Sequence, residues 1–432
     1  MKSSIRFLFI FIFFFSLHFG KVFAQGKMSK TKIENKSSET QNSTKSNHQI
    51  LMNNALGNFV ELMPFLRNEK TFLDPQNEKK IAHLIQELQI VFSKTKKEEL
   101  LKQEIFATNN LIIEDNLNTV LFALEGGSKK FAHQRLKETM NLCFHCHAQL
   151  PAEYTSNFYD GLNNIKRSEV STDKEYADYL FLVRNFAESE KYYKIVISNF
   201  LKNKQAKPNV PMTASQENDL ISSLQQLMIY YLKIEISPKM ALDYLNTLES
   251  QFELFPKFTK VKLNSWKKDS ADWSKKSISD LEVSDNPTLQ AFLKNTLAPL
   301  LVKHKDHQER DVDLLIANGI LAQYAFTHPQ DPDMAIAIYY IGMAEKELNT
   351  LSFYSLAESY FRECIIRFPK HEIAPKCYDE YEESMNFGFT GSSGVHLPPN
   401  IKKELKTLKA LIEKKENSST GTKNTKKTPL KN

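Results

Sequence analysis

Apolar side chains recur every three or four positions along this chain, and no stretch alternates in the manner of a half-buried strand. That period puts the apolar residues on one side of an α-helix, so an all-α fold is expected. Met52, Leu56, Phe59, Met63 and Leu66 form a first stripe. Asp74-Pro75 marks a helix start, with aspartate as the cap and proline in the first turn. Ile81, Leu84, Ile85, Leu88 and Phe92 line the helix that follows. A third is expected from Lys97 to Leu124, ended by Gly126-Gly127, and a fourth from Ser128 through Phe131, Leu136 and Met140. Four helices with short connections predict an antiparallel bundle over residues 46–152.

Residues 173–415 carry the same period in pairs. Ala177, Leu180, Phe186, Tyr193 and Ile197 fit one helical hairpin, and Leu224, Leu227, Tyr231, Ala241, Leu245 and Leu248 fit a second. The clearest runs from Asp331-Pro332 to Pro369, with Tyr340, Gly342, Leu348, Ala357, Phe361 and Cys364. Its spacing of small and large residues resembles a tetratricopeptide repeat. Hairpins of this length bury their faces only against neighbours, so a helical-hairpin solenoid is expected; a generic helical domain is the alternative. Residues 258–290, with Trp266 and Trp273 among Lys, Ser and Asp, break the rhythm and are expected to be an irregular insert or a poorly formed hairpin. Gly388, Gly391 and Gly394 predict a loop, Pro398-Pro399 a last helix start, and residues 416–432 a disordered basic tail.

A length of 432 residues allows two or three domains and a core that needs no staples, and 12 glycines exclude a glycine-rich chain. Residues 1–24 read as a secretory signal peptide: Lys2 and Arg6 precede an apolar run from Phe7 to Phe15, and Val22-Phe23-Ala24 suits cleavage. A retained membrane anchor is the alternative. Outside the leader no run approaches 18 apolar residues, so the mature protein is expected to lack a permanent membrane span and to work in the periplasm. Residues 25–45 are polar and expected to be a disordered linker. The net charge of +6 is misleading: the leader holds three positive residues, and residues 401–432 hold ten Lys against three Glu. The body between them is mildly acidic. No basic cluster is interleaved with aromatics, so no nucleic-acid partner is expected. The tail is either a solubilising end or a weak electrostatic tether to an acidic partner or surface.

Only four cysteines are present, and two stand in Cys143-Phe-His-Cys146-His147. Cys-x-x-Cys-His is the spacing of covalent haem attachment: two thiols on one face of a turn reach two vinyl groups, and the adjacent His147 ligates the iron. The other ring nitrogen of His147 then needs an acceptor that fixes its orientation. A zinc site and a thiol–disulfide site are the alternatives, although Cys143, Cys146 and His145 or His147 supply at most three zinc ligands locally. One covalently attached haem c per chain is expected.

With this motif at the end of a fourth helix, residues 46–152 resemble the cytochrome c-prime and c-556 group of four-helix cytochromes. The resemblance implies that the first helix covers the distal face of the haem. Some members place a methionine on the iron there, and others leave it five-coordinate. Met52 best matches the methionine position, and His48, four residues earlier on the same helix face, is its rival. Met63 lies about three turns further on, and His133 about 21 Å of helix away from His147. His145 is expected to point outward. The group often carries a basic residue a few positions beyond its histidine; here Ala148-Gln149-Leu150-Pro151 follows. Cys364 and Cys377 fall in neighbouring helices either side of Pro369 and are expected to form a disulfide, two buried thiols being the alternative. Together these features suggest a periplasmic monohaem cytochrome for one-electron transfer, a carrier rather than an enzyme, whose repeats dock a periplasmic redox or scaffold protein. The alternatives are a haem-based small-gas binder or sensor and a repeat-based structural scaffold. Peroxidase activity has little support, for want of a distal acid–base group.

Overall fold

Capping residues set where the first helices begin and end. In the computed structural model, which describes residues 47–95, 104–148, 166–276, 283–299, 310–350, 356–388, 390–391 and 394–413, helix α1 spans Asn47–Arg67. Asn68 then caps a short α2, Glu69–Leu73, its side chain accepting from the amides of Lys70 and Thr71 at 3.1 and 3.3 Å. Asp74 accepts from the Gln76 amide at 3.0 Å, and the turn at Pro75 leads into α3, Glu78–Thr95. Helix α4, Glu104–Glu125, ends where Gly127 takes a left-handed φ of 76°. There the Ser128 amide reaches the Ala123 carbonyl and the Gly127 amide that of Leu124, the pairing of a Schellman turn. Helix α5, Lys129–His147, carries the Cys-x-x-Cys-His run at its end. The expected leader, linker and tail lie outside the described residues, as does the expected start of the third helix at Lys97.

Helix α1 packs on α3, α3 on α4 and α4 on α5, while α5 returns against α1 and α2. Phe59, Leu62, Ile81, Ile85, Leu88, Leu117, Val120 and Leu136 are buried between them. Helix α1 holds the whole expected first stripe, and the short α2 is an addition to it: the Asn68 side chain satisfies the next turn's amides and starts a separate helix.

The remaining helices pair along the chain. They are α6 (Asp173–Leu182), α7 (Phe186–Ala206), α8 (Ala214–Met228), α9 (Pro238–Leu248), α10 (Lys257–Trp273), α11 (Asn286–Phe292), α12 (Asp311–Thr327), α13 (Met334–Thr350), α14 (Ala357–Arg367), α15 (Ala374–Gly388) and α16 (Pro399–Glu413). Contacts join α6 to α7, α7 to α8, α9 to α10, and each of α12 to α16 to the next. This is an all-α fold with the helix-pair packing of a repeat-like arrangement. The one strand pairing among the described residues is a small antiparallel ribbon in the glycine loop, Thr390 opposite Val395 and Gly391 opposite Gly394.

The segment expected to be irregular holds a regular helix, α10. Trp266 and Trp273 are two turns apart on it and both are buried. The indole of Trp266 donates to Asp311 at 2.7 Å, that of Trp273 donates to Asp313, and the Lys262 ammonium lies 3.2 Å from Asp311. Polar residues on this face are paired with α12, so the hydrophobic period is interrupted while the helix is not. A second buried cluster joins the π-helical turn Ile229–Ile234, which extends α8, to α12 and α13: Lys233 and Asn318 both donate to Glu345, at 2.9 and 2.8 Å. Cys364 and Cys377 form a disulfide with Cα atoms 6.2 Å apart, joining α14 to α15. Residues 45–432 form one compact unit. Within it α6 touches α5 and α1, and α14 touches α4. Among the described residues no helix is long and apolar enough to cross a membrane.

Candidate functional site

Helix α5 presents Ala132, Leu136, Thr139 and Cys143 to the core, three or four residues apart. Cys143 is 9% exposed and its Sγ lies 3.5 Å from the Thr139 carbonyl one turn earlier. Cys146 and His147 follow at three and four residues, within the last turn of the helix. The side chains of Cys146 and His145 lie outside those described. His147 closes the helix, half-buried.

Two groups from the turn between α6 and α7 meet His147. Its Nδ1 donates to the Leu182 carbonyl, and the Arg184 guanidinium donates to the His147 carbonyl. A carbonyl only accepts, so Nδ1 carries a proton; in a neutral ring the lone pair then falls on Nε2. The arginine places a positive charge at the α5 C-terminus, where the helix dipole favours one.

The turn that brings these groups in is unusual at Arg184. The Asn185 amide reaches the Leu180 carbonyl at 2.8 Å and the Arg184 amide that of Phe181 at 2.9 Å, so α6 also ends in a Schellman turn. Arg184 occupies its left-handed position with φ 58°, where glycine is the common residue and a side chain costs about 1–2 kcal/mol. The arginine is nevertheless 2% exposed, with its guanidinium carbon 4.9 Å from the Phe186 ring centroid. At the other end of α6, Thr172 and Glu175 form a reciprocal capping box, and Arg167 bonds Asp173 at 2.7 Å.

The first helix carries the other expected site residues. Met52 is half-buried on α1 against the apolar core, and α1 touches both α5 and α6. The side chain of His48 lies outside those described. Met63 is buried in the core. His133 is engaged elsewhere, its Nε2 2.9 Å from the Leu66 carbonyl.

Among the described residues no three His, Cys, Asp or Glu side chains are placed to hold a metal ion. A haem iron asks less of a chain, because the macrocycle fills four positions and the protein one or two. The donor types suit that group: thiols three residues apart in sequence, followed by an imidazole whose Nδ1 donates to a carbonyl. Leu182 and Arg184 were not legible from the motif. A backbone carbonyl carries no side-chain identity, and Arg184 lies 37 residues beyond His147. Comparison with protein-family models, with curated proteins and with solved structures returned no match.

Proposed function

We propose that this chain is an exported monohaem c-type cytochrome that carries single electrons and docks a protein partner through its helical pairs. In this reading α1 and α3–α5 form a four-helix cytochrome bundle of the c-prime and c-556 type, and α6–α16 a tetratricopeptide-like solenoid. One observation carries it: the histidine that ends Cys143-x-x-Cys146-His147 is bonded through Nδ1 to a carbonyl, the arrangement that orients a metal-ligating imidazole.

Cys143 and Cys146 would hold the haem through thioether bonds, and His147 would ligate its iron. When bound, the haem supplies a reversible one-electron couple. The chain's part is to position and shelter it. Cys143 lies on the buried side of α5, away from water, and the Leu182 carbonyl accepts a hydrogen bond from Nδ1, which would strengthen His147 as a donor. Met52 is the proposed second protein ligand to the iron, where its thioether would favour the reduced state.

Replacing both cysteines (Cys143→Ser with Cys146→Ser) should abolish covalent haem in protein exported to the periplasm. Retention of covalent haem would overturn the assignment. Met52→Ala should remove the methionine-ligation signature from the optical spectrum. If that signature is missing from the native protein, and reduced protein binds carbon monoxide rapidly without denaturation, the reading passes to small-gas binding.

A further inference from the structure

The proximal side of the proposed haem site is completed by a turn from the other half of the chain. Three observations meet there. Leu182 accepts from the His147 ring and Arg184 donates to the His147 carbonyl, so two successive points of one residue are held by one turn. Arg184 adopts a left-handed backbone with φ 58°, which glycine would adopt without strain. It is also almost wholly buried, beside the Phe186 ring. A strained, buried arginine in a position suited to glycine points to a role for its side chain.

Resting on the haem reading above, we propose that Arg184 is a positioning residue for the haem-ligating His147, so that the first helical hairpin of the repeat half sets the proximal ligand. The guanidinium draws the end of α5 onto the α6–α7 turn. That brings the Leu182 carbonyl within reach of Nδ1 and holds the ring in the tautomer and orientation that ligation needs.

The test uses the full-length, haem-loaded protein and two variants, Arg184→Gly and Arg184→Lys. Glycine suits the left-handed position, so the Arg184→Gly protein should keep its helical circular-dichroism spectrum and its covalent haem. Its reduction potential should shift, because both the hydrogen bond at Nδ1 and the buried charge beside His147 change. The His147 ring proton should also exchange with solvent faster in its magnetic-resonance spectrum. Lysine, which keeps a donor and the charge, should restore part of both. An unchanged potential and ring-proton exchange in a folded Arg184→Gly protein would overturn the proposal. Loss of folding in that variant would overturn it as well, since Arg184 would then act as a structural cap. Native protein without covalent haem would defeat the underlying functional reading; native haem with unmoved variants would defeat this inference alone.

Discussion

Two histidines on the same helix show how surroundings decide what an imidazole does. His147 sits at the helix end with its proton directed to the Leu182 carbonyl, while His133 is buried, its ring centroid 4.8 Å from that of Phe72 and its Nε2 on the Leu66 carbonyl. Burial is the largest influence on His133 and holds its pKa below the ordinary 6.5, against the pull of the backbone hydrogen bond. The unfolded chain therefore takes up a proton first as pH falls. The stability from a neutral His133 is complete above about pH 6.5 and is lost as pH drops from there toward the lower folded value. Thermal melts at about pH 7.5 and about pH 5.5 should show a smaller loss in His133→Gln than in the native protein; equal losses would refute the assignment. The cysteines and His147 were legible as a motif because their chemistry lies within five consecutive residues. Leu182 and Arg184 were not, because they reach the site through a turn whose left-handed residue is neither Gly nor Asn.

Helix starts and stops were legible where one residue sets the boundary: Asp74 through its side chain, and Gly127 through its left-handed backbone. Helix α10 was not, because its inner face is built from indoles, Lys262 and Ser270 whose polarity hid the period. Lys262 and Asp311 compensate each other's buried charge, and the Trp266 indole adds a hydrogen bond to the same carboxylate oxygen. Between α13 and α14 the limiting contact is steric. A methyl group at Gly342 would stand 2.7 Å from Cε1 of Phe361, a fully buried ring. Gly342→Ala should therefore lower unfolding free energy by about 1–3 kcal/mol, measured by urea denaturation. An unchanged midpoint would show that the pair has room to part. The same reasoning explains Gly319, where a methyl group would overlap the Lys233 backbone.

At the scale of the molecule, the all-α class followed from the hydrophobic period, whereas the return of the chain upon itself did not. Helix α6 meets α5 and α1, and α14, tied to α15 by the Cys364–Cys377 disulfide, meets α4. Contacts between elements so far apart in sequence leave no local signal. They give the haem proposal its architectural content: a ligand on the first five helices, an acceptor for it on the sixth, and repeat-like pairs continuing from there. The most direct test is a pyridine haemochrome assay, with a reduced-minus-oxidised spectrum, on protein exported to the periplasm. The account predicts one haem per chain that resists acidic organic extraction and is lost when Cys143 and Cys146 are replaced. Correctly exported, folded protein with no haem, or with haem that extracts freely, would contradict it.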